Sequence, residues 1–510
     1  MPKLPSRGIA PPSIASGRPG VLLERARIAG QEGRPEEAIQ LYRRILAIEP
    51  TNTDVINSLA IAYAETGDLS NAIEQFDNSA RIDPDQPAAW QNRGLALSRV
   101  GHMLEAIACF ERMIALRPDH EAGYVLRADT LYLMGRFQDA LAAYNQVVPL
   151  LPNAAAIAAN RGAALQWCGR FDEAIAEYDR AIALDPNQAM AWANKGILMM
   201  LLGDLPGGLP LFEWRWRIFP PEHKRKMTRP PWLGETSIAG KTLFIYWEQG
   251  LGDVLHCCRY VTMAAKVGAR VVLEVPKPLV ELMASLEGVA TLIGEGDPPP
   301  EYDLHCPMMS LPLAFGTTIE TIPAEVPYLH PNQDLVAAWR DQIADLRGHR
   351  IGLVWAGGAR IGSAEVLTAD QRRSLPLAAL APLAAIPNCA FVSLQLGPPA
   401  EQAARPPAGM TLFDRTGDLK TFADTAALIA NLDLVISVDT STAHLAGALG
   451  KPVWLLNRFD TDWRWLLDRD DSPWYPTMRL FRQPKPGDWA SVVQSMAKAL
   501  RVFATVPADA

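Results

Sequence analysis

Apolar, small and helix-ending positions recur along the first half of the chain with a period of 34 residues. In each cycle a glycine is placed to end a helix A in a left-handed turn, and a proline is placed to stop a helix B. Each helix pair can bury its apolar face only by stacking on its neighbours, so the pattern predicts an N-terminal α-solenoid over residues 19–222. The recurring positions are the prolines Pro50, Pro84, Pro118, Pro152 and Pro186 with Pro220 in register, the glycines Gly33, Gly67, Gly101, Gly135, Gly169 and Gly203, the aromatic residues Tyr42, Phe76, Phe110, Tyr144, Tyr178 and Phe212, the alanines Ala38, Ala72, Ala106, Ala140 and Ala174, and the small residues Ala26, Ala60, Gly94, Ala128, Gly162 and Gly196.

This pattern resembles the tetratricopeptide repeat, and the resemblance covers six repeats in residues 19–222. It implies that the concave face of the array binds an extended peptide or a partner protein. The alternative is an array that only scaffolds or dimerises. Amide and cationic side chains at equivalent places in the A helices suit the binding of a peptide backbone, although they also fit a solvated face. These candidate peptide-binding residues are Asn92, Arg93, Asn160, Arg161, Asn194 and Lys195.

Short apolar runs alternate with helical segments after Lys241, which predicts a two-lobed α/β domain with Rossmann-like lobes. The last amphipathic segment, about residues 489–503, predicts a helix that is a candidate for crossing back to the first lobe. The predicted strands lie at 242–247, 270–275, 291–293, 350–355, 391–396, 434–438 and 452–456, with helices that include 278–286, 376–386 and 422–431. The predicted limits are 1–18 for a disordered N-terminus, 19–222 for the repeats, 223–240 for a linker, 241–335 for the first lobe, 336–348 for an inter-lobe linker and 349–510 for the second lobe.

Composition and charge exclude several classes of protein. A chain of 510 residues with 49% hydrophobic and 20% charged residues is typical of a soluble globular protein of about three domains. The net charge of -8 argues against a general nucleic-acid-binding protein, because such proteins need a basic excess. The six cysteines show neither metal-ligand spacing nor a disulfide framework. No apolar run is long enough to span a membrane, and the N-terminus lacks the apolar core of a signal peptide, so we expect a cytoplasmic protein.

The most informative stretch of the second half is residues 433–457, where an apolar strand breaks into a polar elbow. Leu434 to Val438 predicts a buried strand, and the helix that follows ends at Gly450. In open α/β sheets ligands bind at the carboxyl ends of the strands, and a helix N-terminus there favours phosphate. The elbow therefore predicts a phosphate site or, in the alternative, an ordinary helix cap. Its four residues are Asp439, Thr440, Ser441 and Thr442.

Two motifs in this half resemble those of the lipopolysaccharide heptosyltransferases. They are Gly250-x-Gly252-Asp253-Val254-Leu255-His256 and Asp439-Thr440-x-x-x-His444-Leu445-Ala446. The resemblance covers roughly residues 241–503 and implies a GT-B fold, with the acceptor on the first lobe and a nucleotide sugar on the second. It also implies sugar transfer with inversion, no metal, and no cofactor beyond the nucleotide-sugar substrate. The order of repeats followed by a GT-B domain resembles that of protein O-GlcNAc transferases.

The resemblance assigns the general base to Asp253, which would take the proton of the acceptor hydroxyl. The alternative for this aspartate is a helix N-cap residue. The departing nucleoside diphosphate gains negative charge, so protein donors must stabilise it if no metal is present. Arg373 is the expected cation, where the heptosyltransferases carry a lysine. The candidate donor-binding and phosphate-binding residues are Arg373, Ser374, Asp439, Thr440, Ser441, Thr442 and His444.

The remaining candidates line the predicted cleft or resemble other kinds of site. The Asp462-Trp463-Arg464-Trp465 segment fits a stacked base or sugar, or equally a structural corner. Two Asp-x-Asp pairs, at 460/462 and 468/470, mimic the metal site of other glycosyltransferases, but neither follows the expected strand, so we expect no metal site. The candidate cleft-lining residues are Gln249, Gly250, Gly252, Trp355 and Gln395.

These patterns together predict a glycosyltransferase that moves a sugar from a nucleotide sugar to an acceptor. A protein or peptide recruited by the repeats is the favoured acceptor. The main alternative is a protein-interaction scaffold whose GT-B domain is catalytically inactive. A third interpretation is a glycan-directed, heptosyltransferase-like enzyme whose repeats serve the assembly of a membrane complex.

Overall fold

The structure is a computed structural model that describes residues 18–218, 225–358 and 370–506. The chain divides into two compact units, residues 1–164 and 165–510. The predicted disordered N-terminus lies outside the described residues except for Arg18, as do the first two residues of the predicted linker. Within the described ranges, no helix is both long enough and apolar enough to cross a bilayer.

Paired helices follow one another through residues 19–212, and the first helices of successive pairs begin 34 residues apart, as the sequence predicts. They are α1 (Pro19–Gln31), α2 (Pro35–Leu46), α3 (Thr53–Glu65), α4 (Leu69–Ile82), α5 (Pro87–Arg99), α6 (Met103–Leu116), α7 (Glu121–Leu133), α8 (Phe137–Val147), α9 (Ala155–Trp167), α10 (Phe171–Leu184), α11 (Ala189–Leu201) and α12 (Leu205–Phe212). The division between the compact units falls within α9, so α10 to α12 belong to the second unit.

Backbone conformation and side-chain size explain why this period builds helix pairs. The glycine after each first helix has a positive φ, from 71° at Gly33 to 95° at Gly203, and glycine adopts this conformation at little cost. In the first unit, a Cβ added to Gly94 would lie 2.4 Å from Phe110 Cε1, so α5 can pack on α6 only with a small residue there. The repeated alanines are core positions as well, and Ala106 has an exposed fraction of 0%.

The first part of the second unit after the repeats contains a four-stranded parallel sheet. Its strands are β1 (Thr242–Tyr246), β2 (Arg270–Val275), β3 (Val289–Gly294) and β4 (Leu304–Pro307), and the helices of this region are α13 (Arg215–Ile218), α14 (Leu251–Cys257), α15 (Arg259–Lys266), α16 (Val280–Met283), α17 (Leu311–Ala314) and α18 (Gln333–Gln342). The strand order is β3-β2-β1-β4, so the chain proceeds from β1 to β2 and β3 on one side and returns to place β4 on the other side of β1. The carboxyl end of β1 is therefore a topological switch point, where ligands bind in such sheets.

A six-stranded parallel sheet follows in the same unit. Its strands are β5 (His349–Val354), β6 (Cys389–Ser393), β7 (Leu412–Phe413), β8 (Leu434–Val438), β9 (Val453–Asn457) and β10 (Met478–Arg482), and its α-helices are α19 (Phe422–Ala430), α20 (Ser441–Ala448) and α21 (Trp489–Phe503). The order is β10-β9-β8-β5-β6-β7, which places a second switch point between the ends of β5 and β8.

The sequence predicts no strand at β7 or β10, and two further elements differ from the prediction. The helix predicted at 376–386 is a 3₁₀ helix, Leu377–Leu383, and Pro382 within it has no N–H for an α-helical hydrogen bond. The sequence makes the final helix a candidate for crossing back to the first lobe, whereas α21 packs on the six-stranded sheet. Met496 on α21 belongs to the same core cluster as Ile351 on β5, because the apolar face of the helix matches the apolar face of that sheet.

Candidate active site

The two switch points of the second unit come together through the first turns of α14 and α20. Gly252 lies in the first turn of α14, and Ser441 and His444 lie in the first turn of α20. A Cβ added to Gly252 would lie 3.1 Å from His444 Cδ2 and 3.5 Å from Ser441 Cα. A glycine at this position therefore lets the two helices touch. Asp253 is the next residue of α14 after this contact.

Both carboxylate oxygens of Asp253 accept hydrogen bonds. Oδ2 accepts the backbone N–H of Gly250 at 2.8 Å, which is the capping contact of a carboxylate in the first helical turn. Oδ1 accepts Nη2 of Arg464 at 2.6 Å. The Asp253 side chain is 19% exposed, so it lies at the edge of the buried cluster. Gly250 is the N-cap residue, so Asp253 is not the N-cap that was its alternative; it caps the turn from the third helical position and also forms an ion pair that the sequence did not predict.

Arg464 is a buried cation that the sequence did not single out as a site residue. It lies in the 3₁₀ turn Trp463–Trp465 and has an exposed fraction of 6%. Burial lowers its pKa, but the carboxylates of Asp462 and Asp253 outweigh burial, and the pKa is above its ordinary value. The tryptophans on either side of Arg464 are buried, which makes this segment a structural corner. The sequence feature that could have pointed to Arg464 is its place as a cation between two tryptophans.

His444 is a buried imidazole at the start of α20. Burial, followed by the nearby charge of Arg464, lowers its pKa to about 3, so the ring is neutral. Its Nδ1 lies 2.9 Å from Tyr475 Oη, and its ring stacks on Trp465 with the centroids 5.3 Å apart. Its Nε2 lies 3.8 Å from Oδ1 of Asp439, beyond hydrogen-bond distance. The other oxygen of Asp439 accepts Nε1 of Trp465 at 3.1 Å.

Arg373 spans the switch point of the six-stranded sheet. Its Nη1 donates to the backbone oxygen of Asp439 at 3.0 Å, and the guanidinium also pairs with Asp370. A Cβ added to Gly357 would lie 2.7 Å from Arg373 Nε, so the guanidinium packs directly on the backbone after β5. Ser374 Oγ accepts the Gly357 N–H at 2.9 Å. The structure therefore brings the predicted cation beside the predicted phosphate elbow.

The elbow itself presents hydroxyl groups at the N-terminus of α20. Thr440 is the N-cap residue, and its Oγ1 lies 3.0 Å from Ser437 Oγ on β8. Ser441 and Thr442 are half-buried in the first turn of the helix. Hydroxyl groups and backbone N–H groups at a helix N-terminus favour an anion, and the Arg373 guanidinium adds a positive charge.

The predicted cleft-lining residues divide into interior and surface positions. Trp355 and Gln395 have exposed fractions of 0% and 2%. Gln395 Oε1 accepts the backbone N–H groups of Trp355 and Ala356 at 3.0 and 2.8 Å, so it joins the ends of β5 and β6 from inside. These two side chains support the sheet and present no surface. Gln249, in contrast, is exposed and has a φ of 63°.

The cations of the predicted peptide-binding ladder contact side chains 16 residues earlier in the sequence. Arg93 pairs with Asp77, and Lys195 pairs with Asp179 in the same way. Arg161 Nε donates to Asn145 Oδ1 at 2.8 Å. Each of these contacts joins an A helix to the preceding B helix. The amides of the ladder are all half-buried. One of them, Asn160, donates to Asp129 Oδ1 at 3.3 Å.

Neither Asp-x-Asp pair gathers further metal ligands. Asp460 Oδ2 accepts Arg372 Nε at 2.8 Å, and Asp462 accepts Arg464. In the part of the chain that the structure describes, no group of three or more His, Cys, Asp and Glu side chains is arranged to hold a metal ion.

Comparison with known protein families separates the two halves of the chain. Models of the tetratricopeptide repeat match residues 31–94, 91–155 and 168–203. The chain carries tetratricopeptide repeats. The model of glycosyltransferase family 9 (heptosyltransferase) matches residues 409–456, which contain β8, the elbow and α20.

Among individual proteins, the chain is similar to Protein FlbA of Caulobacter vibrioides, at 29% identity over an aligned length of 299 residues; the match covers 54% of this chain and 48% of that protein. The chain thus spans about half the length of this curated relative. Solved structures with similarity include MamA of Desulfovibrio magneticus RS-1, at 19% identity and a TM-score of 0.31 over 32% of this chain and 94% of that chain. A tetratricopeptide repeat protein of Parabacteroides merdae ATCC 43184 has 14% identity and a TM-score of 0.37, over 40% of this chain and 80% of that chain.

Proposed function

We propose that the chain is a glycosyltransferase of the GT-B type, in which the two parallel sheets of the second unit form the acceptor and donor lobes. It transfers a sugar from a nucleotide sugar, with inversion and without a metal, to a protein or peptide recruited by the repeats. One observation carries the proposal. The glycosyltransferase family match at 409–456 coincides with the switch point where Arg373 contacts the backbone of Asp439 and the first turn of α20 packs on Gly252, the residue before Asp253.

The proposal gives each residue of the cluster a role. Asp253 takes the proton of the acceptor hydroxyl as that oxygen attacks the anomeric carbon. Arg464 donates to Asp253 and fixes the direction of the carboxylate. The diphosphate leaving group gains charge at the elbow, where Arg373 and the hydroxyls of Ser441 and Thr442 stabilise it.

The Asp253→Asn variant tests the chemistry. The asparagine keeps the size of the side chain but removes the base, so we expect transfer to fall by about 10²–10⁴-fold. Thermal unfolding with a panel of nucleoside diphosphates and nucleotide sugars provides the binding control. A nucleotide at 100 times its dissociation constant stabilises the native state by about 2.7 kcal/mol, and Asp253→Asn should keep this shift while Arg373→Gln loses it. Transfer at the wild-type rate in Asp253→Asn would refute the assignment of Asp253 as the general base.

A second candidate function is a protein-interaction scaffold with an inactive C-terminal unit. The direct packing of Gly252 on the first turn of α20 favours it, because this contact covers part of the elbow. An absence of any thermal shift with all nucleotides, together with binding of a partner by the repeats, would support the scaffold over the enzyme.

A further inference from the structure

Tyr475 is a fully buried tyrosine that packs against α20 and reaches His444. Its exposed fraction is 0%. A Cβ added to Gly447 would lie 2.5 Å from Tyr475 Cδ1, so the absence of a side chain at Gly447 gives the tyrosine ring its place. In this position Tyr475 Oη lies 2.9 Å from Nδ1 of His444 and 3.3 Å from Nδ1 of His256.

The hydrogen bonds around Tyr475 determine where its proton goes. Arg259 Nη2 donates to Tyr328 Oη at 2.9 Å, and Tyr328 Oη donates to the backbone oxygen of Leu255 at 2.8 Å. The Tyr328 proton is therefore directed to the Leu255 oxygen and not to Tyr475, because Tyr475 Oη lies farther from Tyr328 Oη, at 3.4 Å. Burial raises the pKa of Tyr475, so its hydroxyl keeps its proton. That proton goes to one of the two imidazoles.

The environment of the two imidazoles favours His444 as the acceptor. His256 Nε2 is buried and has no hydrogen-bond partner among the described residues. A buried N–H without a partner costs more than a buried acceptor without one, so the proton of His256 belongs on Nδ1, where it points to Tyr475. Tyr475 then donates to Nδ1 of His444. The single proton of the neutral His444 ring is left on Nε2, where the carboxylate of Asp439 at 3.8 Å attracts it; the fully buried Nε2 of His256 has no such neighbour.

We propose that Tyr475 is a positioning residue that holds His444 as the Nε2–H tautomer, so that this N–H donates to a phosphate oxygen of the nucleotide sugar. The Nε2 proton is available to a ligand because Asp439 Oδ1, at 3.8 Å, is too distant to accept it. Only the identity of the ligand rests on the proposed function. His444 thereby acts as a neutral hydrogen-bond donor to the diphosphate and does not exchange protons with the substrate.

The tautomer is measured directly by ¹⁵N–¹H correlation spectra of the full chain labelled on its histidines, at pH 7. The signals of His444 are identified among those of the eight histidines as the set that is absent from the spectrum of His444→Asn. We expect a protonated Nε2 and an unprotonated, hydrogen-bonded Nδ1 for His444. In Tyr475→Phe the Nδ1 resonance should move to the position of a nitrogen without a hydrogen bond. A wild-type spectrum with the proton on Nδ1 would overturn the proposal.

Tyr328→Phe is the matched control, because it removes a hydroxyl from the same network without touching His444. Its His444 resonances should stay at the wild-type positions. Titration with uridine, adenosine, guanosine and cytidine diphosphates then tests the consequence. Affinity should fall by about tenfold in Tyr475→Phe and stay unchanged in Tyr328→Phe. Equal affinity in wild type and Tyr475→Phe would refute the positioning role. If none of the diphosphates bound wild type, the proposed function would fail while the tautomer assignment stood.

Discussion

His256 and His444 lie with their rings 5.5 Å apart in the interior and should make the protein sensitive to acid. Burial, with Arg464 next, lowers the pKa of His444 from 6.5 to about 3 and holds that of His256 well below 6.5. Between these values and 6.5 the unfolded chain binds protons that the native state does not, so the free energy of unfolding falls as pH decreases. We expect His444 to contribute a loss of about 2 kcal/mol from pH 7 to pH 5, and His256 to add a loss in the same direction, measured by urea unfolding.

The pH dependence separates this effect from the titration of other groups. His256→Gln removes one neutral, buried imidazole, so its stability should change less steeply between pH 7 and pH 5 than that of wild type. His102, whose side chain is 57% exposed, provides the control, and His102→Gln should keep the wild-type slope. An unchanged slope in His256→Gln would mean that His256 accepts a proton in the native state.

At the scale of single residues, the sequence points to candidate residues that stand in local motifs and misses contacts that only packing creates. Asp253 and His444 stand in motifs, and Arg373 follows a strand end, so all three are predictable. Arg464 lies 211 residues from Asp253 in the chain, and Tyr475 lies 31 residues from His444. Their roles depend on contacts between elements, for which a single sequence has no signal beyond residue type.

At the scale of elements, close contacts between helices depend on glycines whose φ is not in the left-handed region. Gly94→Ala places a methyl group within 2.4 Å of the Phe110 ring, where the two helices must move apart. We expect overpacking to destabilise the repeats by about 1–3 kcal/mol, measured by thermal unfolding followed by circular dichroism.

Gly30→Ala is the matched control for this substitution. Gly30 also lies in the first helix of a repeat, but no atom lies within 4 Å of its added Cβ. Alanine there should stabilise the helix by about 0.5–1 kcal/mol, because glycine loses more backbone freedom on folding. Equal effects of the two substitutions would show that backbone freedom, and not the contact with Phe110, governs the repeated small position.

The elements themselves are predictable to the extent that their signal is local. The 34-residue period gives the helix pairs, and the apolar runs give the main strands of both sheets. The partner of α21 is not predictable, because an apolar helix face fits either sheet until the strands are placed. The 3₁₀ helix at Leu377–Leu383 is also hidden, since its apolar pattern resembles that of an α-helix.

At the scale of the whole chain, the last repeats belong to the same compact unit as the α/β region. The sequence places the end of the repeats at residue 222, whereas the second compact unit begins at Leu165. Helix α11 contacts the turn Trp463–Trp465, which carries Arg464. A repeat register shows where similar elements recur, but it contains no information on what the last repeat contacts. The sixth repeat therefore belongs to the unit that contains the candidate site.

Arg215 joins the sixth repeat to the loop before Asp253. Its substitution tests whether this repeat stabilises the second unit. It is 4% exposed and donates to Glu248 at 3.0 and 2.7 Å and to Glu213 at 2.6 Å. Arg215→Gln leaves both carboxylates without their cation, so we expect a loss of about 3–5 kcal/mol in urea unfolding of the second unit. Arg217→Gln changes an exposed arginine two residues away and should cost less than about 1 kcal/mol. If both variants unfolded like wild type, the repeat would be attached to the α/β region without stabilising it.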